Sequence, residues 1–320
     1  MRRQGYPAPR LVLRVTGTAI IGRMTDSQQQ FTVPAADGRQ LEVLVTGPAD
    51  GLPLVFHHGT PGGVAIYPPM IAAAAEHGLR VVLYGRPGYG SSTPAPGRVV
   101  AGAAADVAAI LDYLGAGEFV TVGWSGGGPH ALACAHLLPR RCLAAATLAG
   151  VAPFKADGLD WMAGMANDNV GEFETALEGP GALAVLLEQV APLFQSLTGD
   201  MLADNIGDLA SAPDKEALRG ELAEYVVASF RAGLRLGMSG WRDDDLAFVT
   251  DWGFPVAAPD GAAPVCIWQG DEDWMVPFAH GQWLASHIPA ARTHFSAGSG
   301  HMNLPFGDVF AELVEISQMD

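Results

Sequence analysis

A serine sits at the centre of Gly123-Trp124-Ser125-Gly126-Gly127, a match to G-x-S-x-G, where a β-branched apolar stretch gives way to Ala- and Leu-rich sequence. A strand turning that abruptly into a helix strains its central residue and stands the side chain clear of the sheet. The flanking glycines let neighbouring chain approach without a Cβ clash. Ser125 is therefore a candidate nucleophile, and it needs a base, because a serine hydroxyl is scarcely ionised at neutral pH. The chain has nine histidines, of which His58, His130, His136 and His301 are the ones to weigh. A carboxylate must then fix the base's tautomer and stabilise its imidazolium. Asp271, Glu272 and Asp273 follow one another after an apolar stretch. Adjacent residues in an extended turn point in different directions, so only one of them should reach the histidine.

The elements around these residues alternate. Phe31–Val33 and Gln40–Thr46 read as a hairpin with Asp37-Gly38 in the turn. Leu54–His58 and Arg80–Tyr84 are short apolar strands separated by a helix from Met70 to Glu76. A helix over 100–114 presents Val107, Ile110, Leu111 and Leu114 on one face. The serine strand, a helix over 129–138 and a strand over 143–149 follow. Apolar strands alternating with helices predict a mostly parallel sheet covered on both faces. The alternation then stops: from Phe154 to Gly240 only helical segments are readable, such as 182–190 and 215–235. That stretch holds 14 Asp and Glu against 5 Lys and Arg, nine of the chain's sixteen net negative charges. Sheet pattern resumes at 264–269, then a helix over 278–287, a strand over 293–296 and a last helix from about Phe306 to Ser317.

The net charge of −16 argues against nucleic acid or anionic membrane as a partner, because either would be repelled. Cys134, Cys142 and Cys266 are odd in number, lack C-x-x-C spacing and sit in apolar sequence. They predict buried free thiols in a reducing, cytoplasmic setting, with no disulfide frame and no metal site. No apolar run is long and charge-free enough to span a bilayer. Residues 1–27 carry Arg2-Arg3 and an apolar segment interrupted by Arg14, without a small-x-small cleavage site. They are read as a loosely ordered extension, with Met24 as an alternative start.

In order, the HHGTPGG loop at 57–63, GRPGYGSS at 85–92, GWSGGG at 123–128, the helical stretch, GDEDWMVP at 270–277 and GSGH at 298–301 resemble the α/β-hydrolase fold. The resemblance covers nearly everything from Phe31 onward. It implies an α/β architecture with a mostly parallel central sheet flanked by helices. Residues 28–153 and 241–320 would form the core, and 154–240 a helical cap. It places the base on His301, after the last strand, and the acid on Asp273 within G-x-x-D-x-x-V-P, with Asp271 as the alternative. The oxyanion donors would be the amides of Gly126 and of Thr60, since Pro61 has no amide proton. His58 would hold the shape of its loop, and His130 and His136 would pack. Gly85 stands where the family often has aspartate, which leaves Arg86 without its usual partner and makes that loop structural. The run Asp243-Asp244-Asp245 reads as a solvated acidic corner rather than a cation site.

A serine at the elbow separates this chain from the haloalkane dehalogenases and epoxide hydrolases of the fold, which carry aspartate there. The resemblance implies acyl transfer to water: hydrolysis of a small or medium carboxylic ester, lactone or thioester in a pocket between core and cap. No cofactor is expected. A small acyl compound is the expected partner, and a homodimer is compatible with the sequence. Trp161, Met162, Met165, Phe173, Leu186, Phe194, Phe230, Leu234 and Trp241 are candidates for the pocket wall. Alternatives are a serine aminopeptidase similar to proline iminopeptidases, whose loop and elbow differ in detail, with the acidic stretch binding an amino terminus. A cofactor-free perhydrolase, a C–C bond hydrolase and a non-catalytic receptor also remain open.

Overall fold

A computed structural model describes residues 28–257, 261–288 and 290–319. The expectations for residues 1–27 lie outside the described residues. The chain opens with the hairpin β1 (Gln29–Pro34) and β2 (Gln40–Thr46), turning at Gly38, whose φ of 87° suits glycine. Then come β3 (Leu52–His57), α1 (Pro68–Glu76), β4 (Leu79–Tyr84), α2 (Gly102–Leu114), β5 (Phe119–Trp124), α3 (Gly128–Leu137) and β6 (Cys142–Leu148). Six helices follow: α4 (Asn167–Glu178), α5 (Pro180–Ser196), α6 (Gly199–Asn205), α7 (Ala212–Ala217), α8 (Glu221–Gly233) and α9 (Ser239–Phe248). β7 (Val265–Gly270), α10 (Phe278–His287), β8 (Arg292–Ser296) and α11 (Phe306–Ile316) complete the core.

One eight-stranded sheet runs in the order β1-β2-β4-β3-β5-β6-β7-β8. β1, β2 and β4 pair antiparallel, and every pair from β4 to β8 is parallel. The period of two along each strand divides the core. Val55 and Val82 face one side with Val107, Ile110 and Leu111 of α2. Leu54, Phe56, Val81 and Leu83 face the other with Met70 of α1 and Val309, Phe310 and Leu313 of α11. Both faces are thus covered by helices, as the apolar strands require.

From β3 the chain steps to β4 on one side, then returns past β3 to lay down β5 on the other. In an open parallel sheet, that reversal leaves a crevice beyond the carboxyl ends of the two strands, where ligands bind. Here the crevice lies between the loop after β3 and the turn after β5, which carry His57–Gly63 and Ser125.

The helical stretch differs from its sequence reading in detail. The expected helix over 215–235 is two helices, broken around Gly220, which sits at φ 53°. Helical structure also continues past residue 240 through α9. The helices seat on the core loops by backbone contact. A Cβ on Gly63 would strike the backbone of Ala232 and Gly233, and the Gly63 amide donates to Ser229 Oγ at 3.0 Å. Gly240, in the first turn of α9, donates its amide to the carbonyl of Gly88 at 3.1 Å.

Candidate active site

Ser125 occupies the first position of a single 3-10 turn between β5 and α3, at φ 56°. A non-glycine residue in that region carries strain that the surroundings must hold in place. They do so through close packing: a Cβ on Gly123 would strike the carbonyl of Gly127, and one on Gly127 the backbone of His57. The glycines of the motif are therefore a steric requirement of this turn. Ser125 is half-buried among buried neighbours and faces a cavity of about 440 Å³.

His301 lines the same cavity, buried, after β8. Its Nδ1 lies 2.8 Å from Oδ2 of Asp273, which follows β7. That carboxylate is itself fixed: Oδ1 accepts the amides of Met275 (2.9 Å) and Val276 (2.8 Å), and Oδ2 accepts from Gln269 Nε2 (2.9 Å). Of the three neighbouring acids, only Asp273 is buried here. Asp271 and Glu272 are exposed, and Asp271 Oδ1 accepts the Gly298 amide at 2.7 Å. With Nδ1 committed to Asp273, Nε2 is the nitrogen left for chemistry.

Electrostatics separate His301 from the other buried histidines. Burial pushes His57 down to about 3 and His280 to about 4, and His58 and His130 well below the ordinary value. Burial works against a charged His301 too, yet the Asp273 carboxylate outweighs it and raises the pKa, with Asp214 contributing. His58 keeps its loop's shape as a neutral ring: Nδ1 donates to the Gly59 carbonyl (2.8 Å) and Nε2 accepts the Arg86 amide (3.4 Å). His130 Nδ1 donates to the Gly126 carbonyl at 2.9 Å and its ring packs in the interior.

Thr60 and Gly126, the expected oxyanion donors, meet at the mouth of the crevice. Both line the cavity, and a Cβ on Gly126 would collide with the Thr60 side chain. A buried network behind them departs from the sequence reading. Arg86 is partnered after all: Nη2 meets Asp244 Oδ2 at 2.6 Å, and Nη1 donates to the His58 carbonyl at 2.6 Å. Asp244 also accepts from Arg98 Nη2 (2.6 Å), Tyr89 Oη (2.8 Å) and Thr60 Oγ1 (2.8 Å). Burial alone would raise its pKa, but the two guanidinium groups hold it well below the ordinary carboxylate range. The aspartate missing at position 85 is thus supplied by α9. The run 243–245 is no solvated corner, because all three aspartates are buried. Residues distant in sequence cover them, and no local pattern announces that.

Asp214 was missed as well. Fully buried in α7, it accepts the Met302 amide at 2.6 Å and the Ser211 hydroxyl at 3.0 Å, under the loop that carries His301. A Cβ on Gly300 would collide with its carboxylate. The helices form the rest of the cavity. Of the expected wall residues, Phe173, Phe194, Phe230 and Trp241 line it, whereas Trp161, Met162, Met165, Leu186 and Leu234 do not. Trp161 packs instead, its Nε1 donating to the Ala152 carbonyl at 2.6 Å. Among the described residues no group of three or more His, Cys, Asp or Glu is placed to hold a metal ion, and no helix is long and apolar enough to cross a membrane. The three cysteines are free and buried.

Residues 53–308 match the α/β hydrolase fold family, and the chain belongs to it. It is 34% identical over 148 residues to a non-heme chloroperoxidase of Streptomyces lividans, covering 46% of this chain and 54% of that one. It is 33% identical over 122 residues to a bifunctional esterase/perhydrolase of Acinetobacter calcoaceticus, covering 38% and 44%. Only about half of each relative is spanned. Among solved structures, a bromoperoxidase from Bacillus anthracis superposes with a TM-score of 0.66 at 19% identity, over 90% of this chain and all of that one.

Proposed function

We propose that the protein is a serine hydrolase that cleaves a carboxylic ester through an acyl-enzyme. Supporting this above all is His301, which is held by Asp273 and lines the cavity that Ser125, strained at φ 56°, faces. His301 Nε2 removes the Ser125 hydroxyl proton as Oγ attacks the acyl carbon, and Asp273 stabilises the imidazolium that forms. The amides of Thr60 and Gly126 receive the oxyanion, each donor being worth roughly 3–4 kcal/mol of barrier. The imidazolium returns its proton to the departing alkoxide. Water then attacks the acyl-enzyme with His301 again as base, releasing the acid and restoring Ser125.

A fluorophosphonate probe should label the wild-type protein and not Ser125→Ala. p-Nitrophenyl butyrate should be hydrolysed in preference to proline p-nitroanilide, which separates an esterase from an aminopeptidase. Labelling retained in Ser125→Ala would remove Ser125 from its role. The name of the Acinetobacter relative favours a second reading, perhydrolysis. Hydrogen peroxide in place of water would attack the same acyl-enzyme to give a peracid and free Ser125. Peracid formed from an ester and peroxide would register it.

A further inference from the structure

The loops bearing Thr60, Asp273 and His301 are each held by one polar side chain from the helices between β6 and β7. Asp244 of α9 accepts the Thr60 hydroxyl. Asn169 of α4 donates Nδ2 to the Met275 carbonyl (3.1 Å), two residues after Asp273. Asp214 of α7 accepts the Met302 amide (2.6 Å), one residue after His301. Asn169 is neutral and can only position, and the charge of Asp244 is matched by Arg86 and Arg98. Asp214 differs from both. It is fully buried, and none of the ion pairs among the described residues includes it. Both its oxygens accept hydrogen bonds, Oδ1 from the Met302 amide and Oδ2 from the Ser211 hydroxyl (3.0 Å), as an ionised carboxylate does. A buried charge without a cation is costly. The positive charge that arises beside its loop in the proposed reaction is the His301 imidazolium.

We propose that Asp214 is a positioning residue for the base: it fixes the backbone on both sides of His301 and lends the imidazolium a second negative charge, after that of Asp273. The word base rests on the proposed hydrolysis; the hold of Asp214 on His301 does not.

The geometry brackets the imidazole. Met302, whose amide Asp214 binds, follows His301, and Gly300 precedes it, where a Cβ would collide with the Asp214 carboxylate. Gly300 does not occupy the left-handed region, so the approach of this carboxylate, not the backbone conformation, is what excludes a side chain there. The other ties on the loop come from the sheet side. The Glu272 amide donates to the Ser299 carbonyl (2.9 Å), Asp271 Oδ1 accepts the Gly298 amide (2.7 Å), and Trp124 Nε1 donates to the His301 carbonyl (3.3 Å). Burial opposes charge on His301, and Asp273 and then Asp214 act against it, with a raised pKa as the outcome. The remaining ionisable residues of the cavity lining, Asp168, Glu172 and Asp245, stand on α4 and α9. Lys215 and Glu216, next to Asp214 on α7, are open to solvent.

Asp214→Asn separates charge from position. Its amide oxygen can still accept the Met302 N–H, and its nitrogen can donate to Ser211 Oγ. The His301 imidazole, followed by proton–carbon NMR and identified by its absence in His301→Gln, should titrate at lower pH in Asp214→Asn than in wild type. With p-nitrophenyl butyrate the rising limb of kcat/KM should move to lower pH as well, because the base is then neutral at lower pH. On the plateau kcat should fall about 10-fold with KM held within about 2-fold, the mark of an interaction made in the transition state. Gly300→Ala keeps the charge but pushes it off the loop, and should move both readouts in the same direction, so the test does not depend on one variant folding. A carboxylate that only braces the loop predicts lower stability with midpoint and limb unmoved, and that result in both variants would overturn the inference while leaving an active hydrolase. A lowered midpoint in a protein that turns over no ester would sink the hydrolase and leave the hold of Asp214 on His301.

Discussion

The two walls of the cavity handle charge in opposite ways. On the wall built by the core loops, buried charge is matched: His301 leans on Asp273, and Asp244 lies between Arg86 and Arg98. On the wall built by α4 and α9, two acids, Glu172 and Asp245, are hydrogen-bonded to each other. Asp244 and Asp245 are consecutive, so one helix turns one carboxylate to a cage of arginines and the next to Glu172. Burial acts on both. Its outcome is a depressed pKa where guanidinium groups are present and a raised one where another acid is. The matched wall holds its charges in a fixed geometry, and the acid pair is held together by a proton.

The largest effect should come from the matched wall. Ser125→Ala should lower kcat by on the order of 10⁶-fold, measured on the p-nitrophenyl ester, among a series of acyl-chain lengths, that the wild type turns over fastest. Next, Asp273→Asn should cost about 10⁴-fold, because the amide presents the wrong partner to Nδ1. The same pair sets the pH profile. The base works only when neutral, so activity should climb with pH through the His301 pKa, which Asp273 holds above its ordinary value of about 6.5. In Asp273→Asn that limb should move to lower pH. A limb unmoved by the substitution would mean another group titrates.

Most of the matched wall was readable from the chain itself, because each of its residues is announced by its neighbours. Ser125 comes with glycines that its turn requires sterically, His301 with Gly298 and Gly300, and Asp273 with the Val276-Pro277 that follows it. The sheet was readable for a similar reason: strands buried on both faces are continuous apolar runs. Asp244 and Asp214 had no such signature. Asp244 acquires its role through Arg86, 158 residues away, and Asp214 through Met302, 88 residues away. A run of three aspartates looks solvated unless one knows that α9 carries it under the loops after β3 and β4. The wall residues on the helices between β6 and β7 were legible only as apolar, and which of them face the cavity depended on how six helices seat.

A third prediction loosens the joint between the walls. Asp244→Ala removes the shared partner of Arg86, Arg98, Thr60 and Tyr89, leaving buried guanidinium charge uncompensated. Breaking a buried pair in this way costs about 3–5 kcal/mol, readable in denaturant unfolding. Because Arg86 also holds the His58 and Gly59 carbonyls, kcat should fall in the part that stays folded. Loss of stability with kcat intact would reduce Asp244 to a structural role.

The smallest effect has the opposite sign. Asp245 titrates higher in the folded protein than in the unfolded chain, so between those two values the folded state binds more protons. Its contribution to stability is then fully present below the unfolded value of about 3.9, and is lost as pH rises through the raised folded value. Asp245→Asn removes the titration while keeping the side chain's shape, so the variant should be more stable than wild type near neutral pH, by roughly 0.5–2 kcal/mol. At low pH the two should converge, since the wild-type carboxyl is protonated there. A variant no more stable than wild type at pH 7 would mean that the pair is already satisfied, and the contrast between the two walls would disappear with it.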